Sequence, residues 1–146
     1  MANPEISDFL QTYRQATLGV SVSGEPFMAM VSYVWHARSA LIHLSNLAPH
    51  KRQLIDNPRC SLLVAEPDDG RTEVMSLARV ILQGSAMMLN KTGSDYTAAK
   101  AAFLARLPTA EIMFGLTDFD LFRITPTSGR YIAGFGRVVA FTADDV

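Results

Sequence analysis

The sequence predicts a mainly β, α+β fold: six or seven antiparallel strands closing into a small barrel, with helices at its periphery. Three observations carry this. Apolar and polar residues alternate with a period of two in several short runs. Short, turn-rich connections join the runs, which favours antiparallel pairing. Helical patterns interrupt at only three points and do not alternate regularly with strands, which disfavours a doubly wound sheet. The 146 residues contain no internal repeat, low-complexity tract or linker, and read as one domain over 1–146.

The chain opens on a helical pattern. Ile6, Phe9, Leu10 and Tyr13 recur at i, i+3, i+4 and i+7 and share a face. Asn3 is placed to cap this helix, and Pro4 suits its first turn. So short a helix needs a sheet to lie against. Residues 16–22 then alternate, Ser23-Gly24-Glu25 supplies turn chemistry, and Phe27 to Val34 forms the second arm of a hairpin. A turn over 36–39 leads to a third strand over 41–45. Pro49 to Asp56 reads as a short helix with Leu54 and Ile55 facing inward, stopped at Asn57-Pro58 because a residue before proline avoids the helical region.

Cys60 to Ala65 is a fourth strand, and the polar stretch 66–71 a surface loop. Arg79 to Leu89 is the longest strand candidate, with Gly84 marking a bulge or bend. Tyr96 to Leu107 is an alanine-rich helix ended by Pro108. Along 118–125, Phe119, Leu121 and Arg123 face one way and Asp120, Phe122 and Ile124 the other. Residues 126–129 read as a turn, and Arg130 to Phe141 completes the sheet around Gly134-Phe135-Gly136.

Composition narrows the function. Hydrophobic residues make up 49% and charged residues 18%, which suits a packed core and argues against disorder. A net charge of −1 offers no polybasic footprint for nucleic acid. One cysteine, Cys60, leaves no disulfide framework and no cysteine-rich zinc site. The N-terminus lacks the pattern of a signal peptide, and no apolar run reaches the ~20 residues of a membrane helix. The expectation is a soluble cytoplasmic protein with no nucleic-acid or membrane partner.

The most informative stretch is 44–52, Leu-Ser-Asn-Leu-Ala-Pro-His-Lys-Arg. It runs from a strand end into a helix whose first turn carries His50, Lys51 and Arg52. Unpaired N–H groups and the helix dipole make that end positive, so cations there are unfavourable unless an anion offsets them. A phosphate is one such anion, and Ser45 adds a hydroxyl donor. The competing reading is a basic helix end fanned into water. Arg79 begins the long strand, and Gln83 shares its face; each is either a ligand contact or a rim residue. In 130–137, two glycines bracket Phe135 between Arg130 and Arg137: a ring-stacking segment, or a bulge with Phe135 in the core. His36, His43 and His50 recur every seven residues but fall on a turn, a strand and a helix start, so they do not form a metal site by sequence. Asp68-Asp69 and Asp144-Asp145 read as solvated, and Cys60 as a small buried hydrophobe.

Four segments together resemble the pyridoxamine 5′-phosphate oxidase-like flavoproteins: residues 27–33, residues 42–54 with Asn57-Pro58-Arg59 and 61–63, and the long strand 79–86. The stretch 129–141 is similar to the subgroup of HugZ-type haem-utilisation proteins. The resemblance covers about residues 10–141. It implies a split β-barrel, a homodimer, and flavin mononucleotide (FMN) in clefts between subunits. Carried over by position, Ser45, His50 and Lys51 would hold the FMN phosphate. Arg79 would contact the flavin, as would Gln83 more loosely, and Met30, Val31 and Ser32 would line its ring.

His50 stands where the oxidase itself has arginine, and a neutral imidazole is a poorer phosphate partner. No Arg-x-His pair lies near the C-terminus, so oxidation of pyridoxamine phosphate is not implied. Relatives of the HugZ type continue beyond the Gly-Phe-Gly segment, and haem ligation from such an extension is not carried over. The implied function is an FMN-dependent oxidoreductase acting on a small molecule. The alternatives are a haem-binding protein with His36, His43 or His50 as axial ligand, or a non-catalytic flavin module.

Overall fold

The computed structural model describes residues 2–146. Helix α1 (Pro4–Thr12) starts where expected: Asn3 caps it, its side chain accepting from the Glu5 N–H at 3.1 Å, and Ile6, Phe9 and Leu10 are buried. Strands β1 (Gln15–Val22) and β2 (Glu25–Ser32) form a hairpin through Ser23 and Gly24, both at positive φ, as a two-residue turn of the twist-matching kind requires.

The second strand stops at Ser32 rather than Val34. Tyr33 turns the chain, its N–H donating to Arg14 O at 2.9 Å and its buried hydroxyl to Leu10 O at 2.6 Å. Val34–His36 then becomes a separate strand, β3, paired with β4 (Ser39–Ser45). This extra strand brings the total to eight, one more than the sequence pattern suggested.

Helix α2 (Pro49–Asp56) inserts Leu54 into the main core, but Ile55 points out and is 45% exposed. The two are adjacent on a helix of 100° per residue, so only one can face the core squarely. Strands β5 (Arg59–Ala65) and β6 (Arg79–Met88) pair in register, Cys60 is buried and free, and α3 (Ser94–Arg106) and α4 (Glu111–Phe114) follow.

Strand β7 (Phe119–Gly134) corrects two expectations. Residues 126–129 are not a turn but lie inside it. Pro126 falls opposite Gly84 at the register shift between β6 and β7, where a missing N–H removes no ladder bond. Gly129 is required because a Cβ there would lie 2.3 Å from Phe141 Cζ and 2.6 Å from Ile81 O. The real turn is at Phe135-Gly136, between Gly134 at φ 140° and Gly136 at φ 80°, and it divides 130–141 into the end of β7 and β8 (Arg137–Thr142). Phe135 sits at the hairpin tip, 86% exposed, and is neither in the core nor stacked.

The sheet runs β2-β1-β5-β6-β7-β4-β3, with β8 also on β7. One edge of β7 pairs with β6 along its length; the other pairs with β4 over 119–124 and with β8 over 128–134. This change of partner splits the sheet, which curls without a ladder between β2 and β3 among the described residues. The result is the mainly β split barrel rather than a closed one. Its inside holds the main core, including Leu18, Ile42, Leu62, Leu82, Phe122 and Ile124. A second core lies outside β4 and β7, where Leu41 and Leu121 meet Ala99 and Phe103 of α3. Leu121 and Phe122 therefore face opposite layers, as the alternation predicts. No helix among the described residues is long and apolar enough to cross a membrane.

Gly129→Ala is expected to destabilise the fold by at least the 1–3 kcal/mol typical of overpacking, because both obstructing groups are ladder backbone and a packed ring. Urea denaturation measures this; an unchanged midpoint would contradict the close approach.

Candidate functional site

The first turn of α2 is where the sequence pointed, and the structure supplies its missing anion from within. Lys51 is 4% exposed. Its ammonium donates to Asn46 Oδ1 at 2.6 Å and to Asp118 O at 2.8 Å, and pairs with Asp120 Oδ2 at 2.7 Å. An ammonium has three hydrogens, and each has a protein acceptor. Ser45 Oγ donates to Asp118 Oδ2 at 3.0 Å and accepts from the Leu47 N–H at 3.0 Å. Ser45 and Lys51 thus belong to one network tying the β4–α2 connection to the start of β7. Arg52 makes only an exposed i,i+4 pair with Asp56. The signal for Asp120 lay in the alternation that put it on the same face as Phe122 and Ile124: a carboxylate among core-facing residues needs a cation.

His50 turns the other way, its ring stacked 6.2 Å from that of Phe27 on β2. Its Nδ1 is buried without a hydrogen-bond partner, and burial lowers its pKa. It is a neutral imidazole beside β2, not a second cation. His43 lies in the second core, stacked 3.9 Å from Phe114 with Phe103 and Phe119 around it, and its Nδ1 is also buried and unpaired. Burial, helped by Lys91, lowers its pKa to about 4, while Asp120 opposes the shift.

The other predicted residues lie on the outer face of the barrel. Pairing aligns them in cross-strand rows. One row is Met28–Gly19–Ser61–Gln83–Ser128; the next is Met30–Thr17–Leu63–Ile81–Arg130. Beyond it, Ser32 pairs with Gln15, and Ala65 with Arg79. Met30, 73% exposed, Ser32, Arg79 and Gln83 therefore share this face, with β1 and β5 between β2 and β6. Val31 has the opposite parity and sits in the core, so only its backbone borders the face. Arg79 is held by Nη1 donating to Met75 O at 3.1 Å and Leu77 O at 2.9 Å; Gln83 Oε1 accepts from Ser128 Oγ at 3.3 Å. Arg137 is held by Glu5 in a two-pronged pair at 2.8 and 3.1 Å, while Arg130 is exposed on the row of Ile81.

Two hollows occupy this face. One of about 700 Å³ surrounds the Gln83 row, lined by Phe27, Met28, Arg59, Ser61 and Gln83 among others. The other, about 400 Å³, lies on the rows between Met30 and Arg79 and is lined by Tyr13, Arg14, Gln15, Thr17, Leu63, Ala65 and Arg106 among others. Sequence reasoning missed Tyr13, Arg14 and Arg106, because no local pattern links the start of β1 to the end of α3. Among the described residues no cluster of histidine, cysteine, aspartate or glutamate could hold a bare metal ion.

A sheet curled in this way, with β7 changing partners along one edge, defines the chain as a split-barrel protein. The chain belongs to the pyridoxamine 5′-phosphate oxidase family, which matches residues 2–133. It is 34% identical over 134 residues to the chloroplastic non-canonical haem oxygenase HOZ of Arabidopsis thaliana, covering 90% of this chain but 38% of the plant protein's length. It is 27% identical over 147 residues to haem oxygenase HutZ of Vibrio cholerae, covering 98% of this chain and 82% of that one. The haem-binding protein of Mycobacterium smegmatis superposes with a TM-score of 0.86 at 25% identity, covering 99% of this chain and 60% of the other.

Two expectations follow. Lys51→Ala leaves Asn46 Oδ1 and Asp118 O unmatched and Asp120 with only its longer pair to Lys91, and is expected to cost about 3 kcal/mol, the low end for breaking a buried pair; a loss below 1 kcal/mol in chemical denaturation would contradict the network. His43 holds its proton less tightly folded than unfolded, so its contribution is fully present above pH 6.5 and is lost as pH falls towards about 4. His43→Leu is expected to flatten that part of the Tm-against-pH curve; wild type and variant losing stability in parallel over this range would refute the assignment.

Proposed function

We propose that this chain binds haem on the outer face of its barrel and serves haem utilisation, with the haem oxygenases HOZ and HutZ as its functional kin. One observation carries this reading over a flavin: all three hydrogens of the Lys51 ammonium are engaged by protein acceptors. With His50 neutral as well, the only other cation of the turn that would grip an FMN phosphate is Arg52, exposed and paired with Asp56. The outer face meanwhile suits a flat, mostly apolar, dianionic ligand. Met28, Met30, Leu63 and Ile81 are exposed on it, and Arg79 and Arg130 border them. HutZ and HOZ are both described as haem oxygenases, which supports the same choice.

In this reading Met30, Ser32, Arg79 and Gln83 face the ligand, and the backbone at Val31 lines it. His50, stacked on the inward-facing Phe27, and His43, in the second core, both lie off this face, so neither is assigned to iron. Bound haem would supply dioxygen and one-electron chemistry. The chain's own part is to present an apolar floor and guanidinium hydrogen-bond donors. A face this apolar also fits a homodimer in which a second copy covers it, leaving ligand clefts between subunits.

FMN-dependent oxidoreduction of a small molecule is the second reading, favoured by membership of the pyridoxamine 5′-phosphate oxidase family. Binding FMN phosphate would require Lys51 to give up one of its acceptors, while Ser45 supplied a hydroxyl.

Titration with haem separates the two. We expect a Soret shift saturating at one haem per chain, weakened at least tenfold in Met30→Glu, which puts a carboxylate on the exposed apolar face, while FMN binds more weakly than haem. Tight FMN binding, lost in Lys51→Ala, with no Soret change on adding haem, would reverse the assignment.

A further inference from the structure

Residues 66–78 link β5 to β6, and the stretch 67–75 is exposed at every position. The base of this loop is closed by the Glu66 N–H donating to Ala78 O at 2.9 Å. Its far end is pinned by the buried Leu77 and by Arg79, which donates to Met75 O at 3.1 Å. Between these anchors the polar side chains bond only within the loop. Asp68 and Asp69 accept from the Gly70 and Arg71 N–H groups, Glu73 accepts from that of Met75, and Arg71 pairs with Asp69. The carboxylates of Asp68, Asp69 and Glu73 outnumber the one guanidinium of Arg71, so the stretch is net negative. Gly70, at φ 81°, has open space around it, which leaves the loop room to move.

Two hollows flank this loop. Pro67 helps to wall the hollow of about 400 Å³, which Arg14 and Arg106 also line; Asp69, Arg71 and Thr72 line a second of about 350 Å³, and Tyr13 borders both. Burial first, and then the Glu66 carboxylate, raise the Tyr13 pKa, so the loop's negative charge already reaches this wall. Neither Arg14 nor Arg106 forms a salt bridge among the described residues. Arg106 donates to Thr12 O at 2.6 Å, and the Arg14 side chain bonds to no described residue. Opposite charges thus lie on either side of Tyr13 without pairing. We propose that residues 66–75 are a strap that closes over the larger of these two hollows, Asp68 and Asp69 pairing with Arg14 and Arg106, and that the closed strap competes with an anionic ligand for this part of the face. The competition rests on the haem reading above; the closure does not. Exposed pairs are weak, so open and closed straps are populated together rather than one being locked.

Trypsin cleavage after Arg71, followed by mass spectrometry, reads closure without any ligand. In about 20 mM salt, wild type is expected to be cut about threefold more slowly than Arg14→Gln/Arg106→Gln, the scale of two exposed ion pairs. In about 0.5 M salt, where charges are screened over a few ångströms, that difference is expected to vanish. Both chains are compared in the same buffer, so the protease's own response to salt cancels. Thermal melting checks folding, and Arg14→Gln alone replaces the double variant if that one melts early, because the Arg14 side chain supports nothing else. Competition is read by haem titration of Asp68→Asn/Asp69→Asn. Asparagine keeps the acceptors for the Gly70 and Arg71 N–H groups, so the turn survives. Haem affinity is expected to rise about threefold at low salt in this variant, and not to rise when the same changes are made in Arg14→Gln/Arg106→Gln.

Equal cleavage of wild type and the folded arginine variants at low salt would overturn the strap. A gain in haem affinity that persists without the arginines would report only the long-range field of the aspartates and overturn the competition. Slower cleavage of wild type with no Soret change in any chain would uphold closure while removing the haem reading.

Discussion

A buried ammonium sets the terms for the rest of this molecule. Lys51 ties the first turn of α2 and the adjoining β4–α2 connection, through Asn46, to the start of β7, distant in sequence, through Asp118 and Asp120. A charge this buried is tolerable only when every hydrogen is matched, because an unpaired one carries the full desolvation penalty. The helix dipole adds to the constraint. A cation in a first turn is unfavourable by itself, so the carboxylate of Asp120 must be held close, and β7 must start where it does. Lys91 approaches the same carboxylate at 3.6 Å, extending the network towards α3.

Fixing the start of β7 fixes the split. The strand must pass from β4 to β8 along one edge while keeping β6 along the other, and the bulge opposite Gly84 with Pro126 lies between the two partners. A proline that would end an ordinary central strand is accommodated because its missing N–H falls at the irregularity. Beyond it, Gly129 lets Phe141 cross close above the strand, which seats β8 on the main core. The polar knot at one end and the glycine contact at the other bracket the long strand.

Periodicity gave the strands of the first half, the capped first helix and the two faces of β7 directly. It failed wherever a residue's usual role was overridden by a partner far along the chain. Residues 126–129 carry turn chemistry, yet pairing on both sides keeps them extended. Gly134-Phe135-Gly136 looks like a strand centre with a functional aromatic, yet positive φ at both glycines makes it the turn. The basic first turn of α2 was correctly marked as needing an anion, but Asp120 lies 69 positions on in sequence and supplies it. The outer-face residues Met30, Ser32, Arg79 and Gln83 were legible as a set because the two-residue period places them on one side. Arg14 and Arg106 were not, because only the contact of α3's end with α1 brings them to one hollow.

The same parity that builds the core builds the binding face, and this explains how one fold can exchange one flat ligand for another. Inward positions of β1, β2, β5 and β6 are held by packing, so substitution there disturbs the barrel. Outward positions carry no such constraint until something covers them. A phosphate-terminated flavin would need a free cation at α2, and in this chain Lys51 is absorbed into the fold, which leaves the exposed Arg52 with its Asp56 partner. A ligand with charges on its rim rather than on a tail needs cations at the edge of the face instead. Arg79 stands at such an edge, its guanidinium held by the Met75 and Leu77 carbonyls. Redistributing positive charge from the helix end to the rim changes which ligand is complementary without moving a strand. The inside of the barrel is fixed by packing, and the outside is where complementarity to a ligand can change without changing the fold.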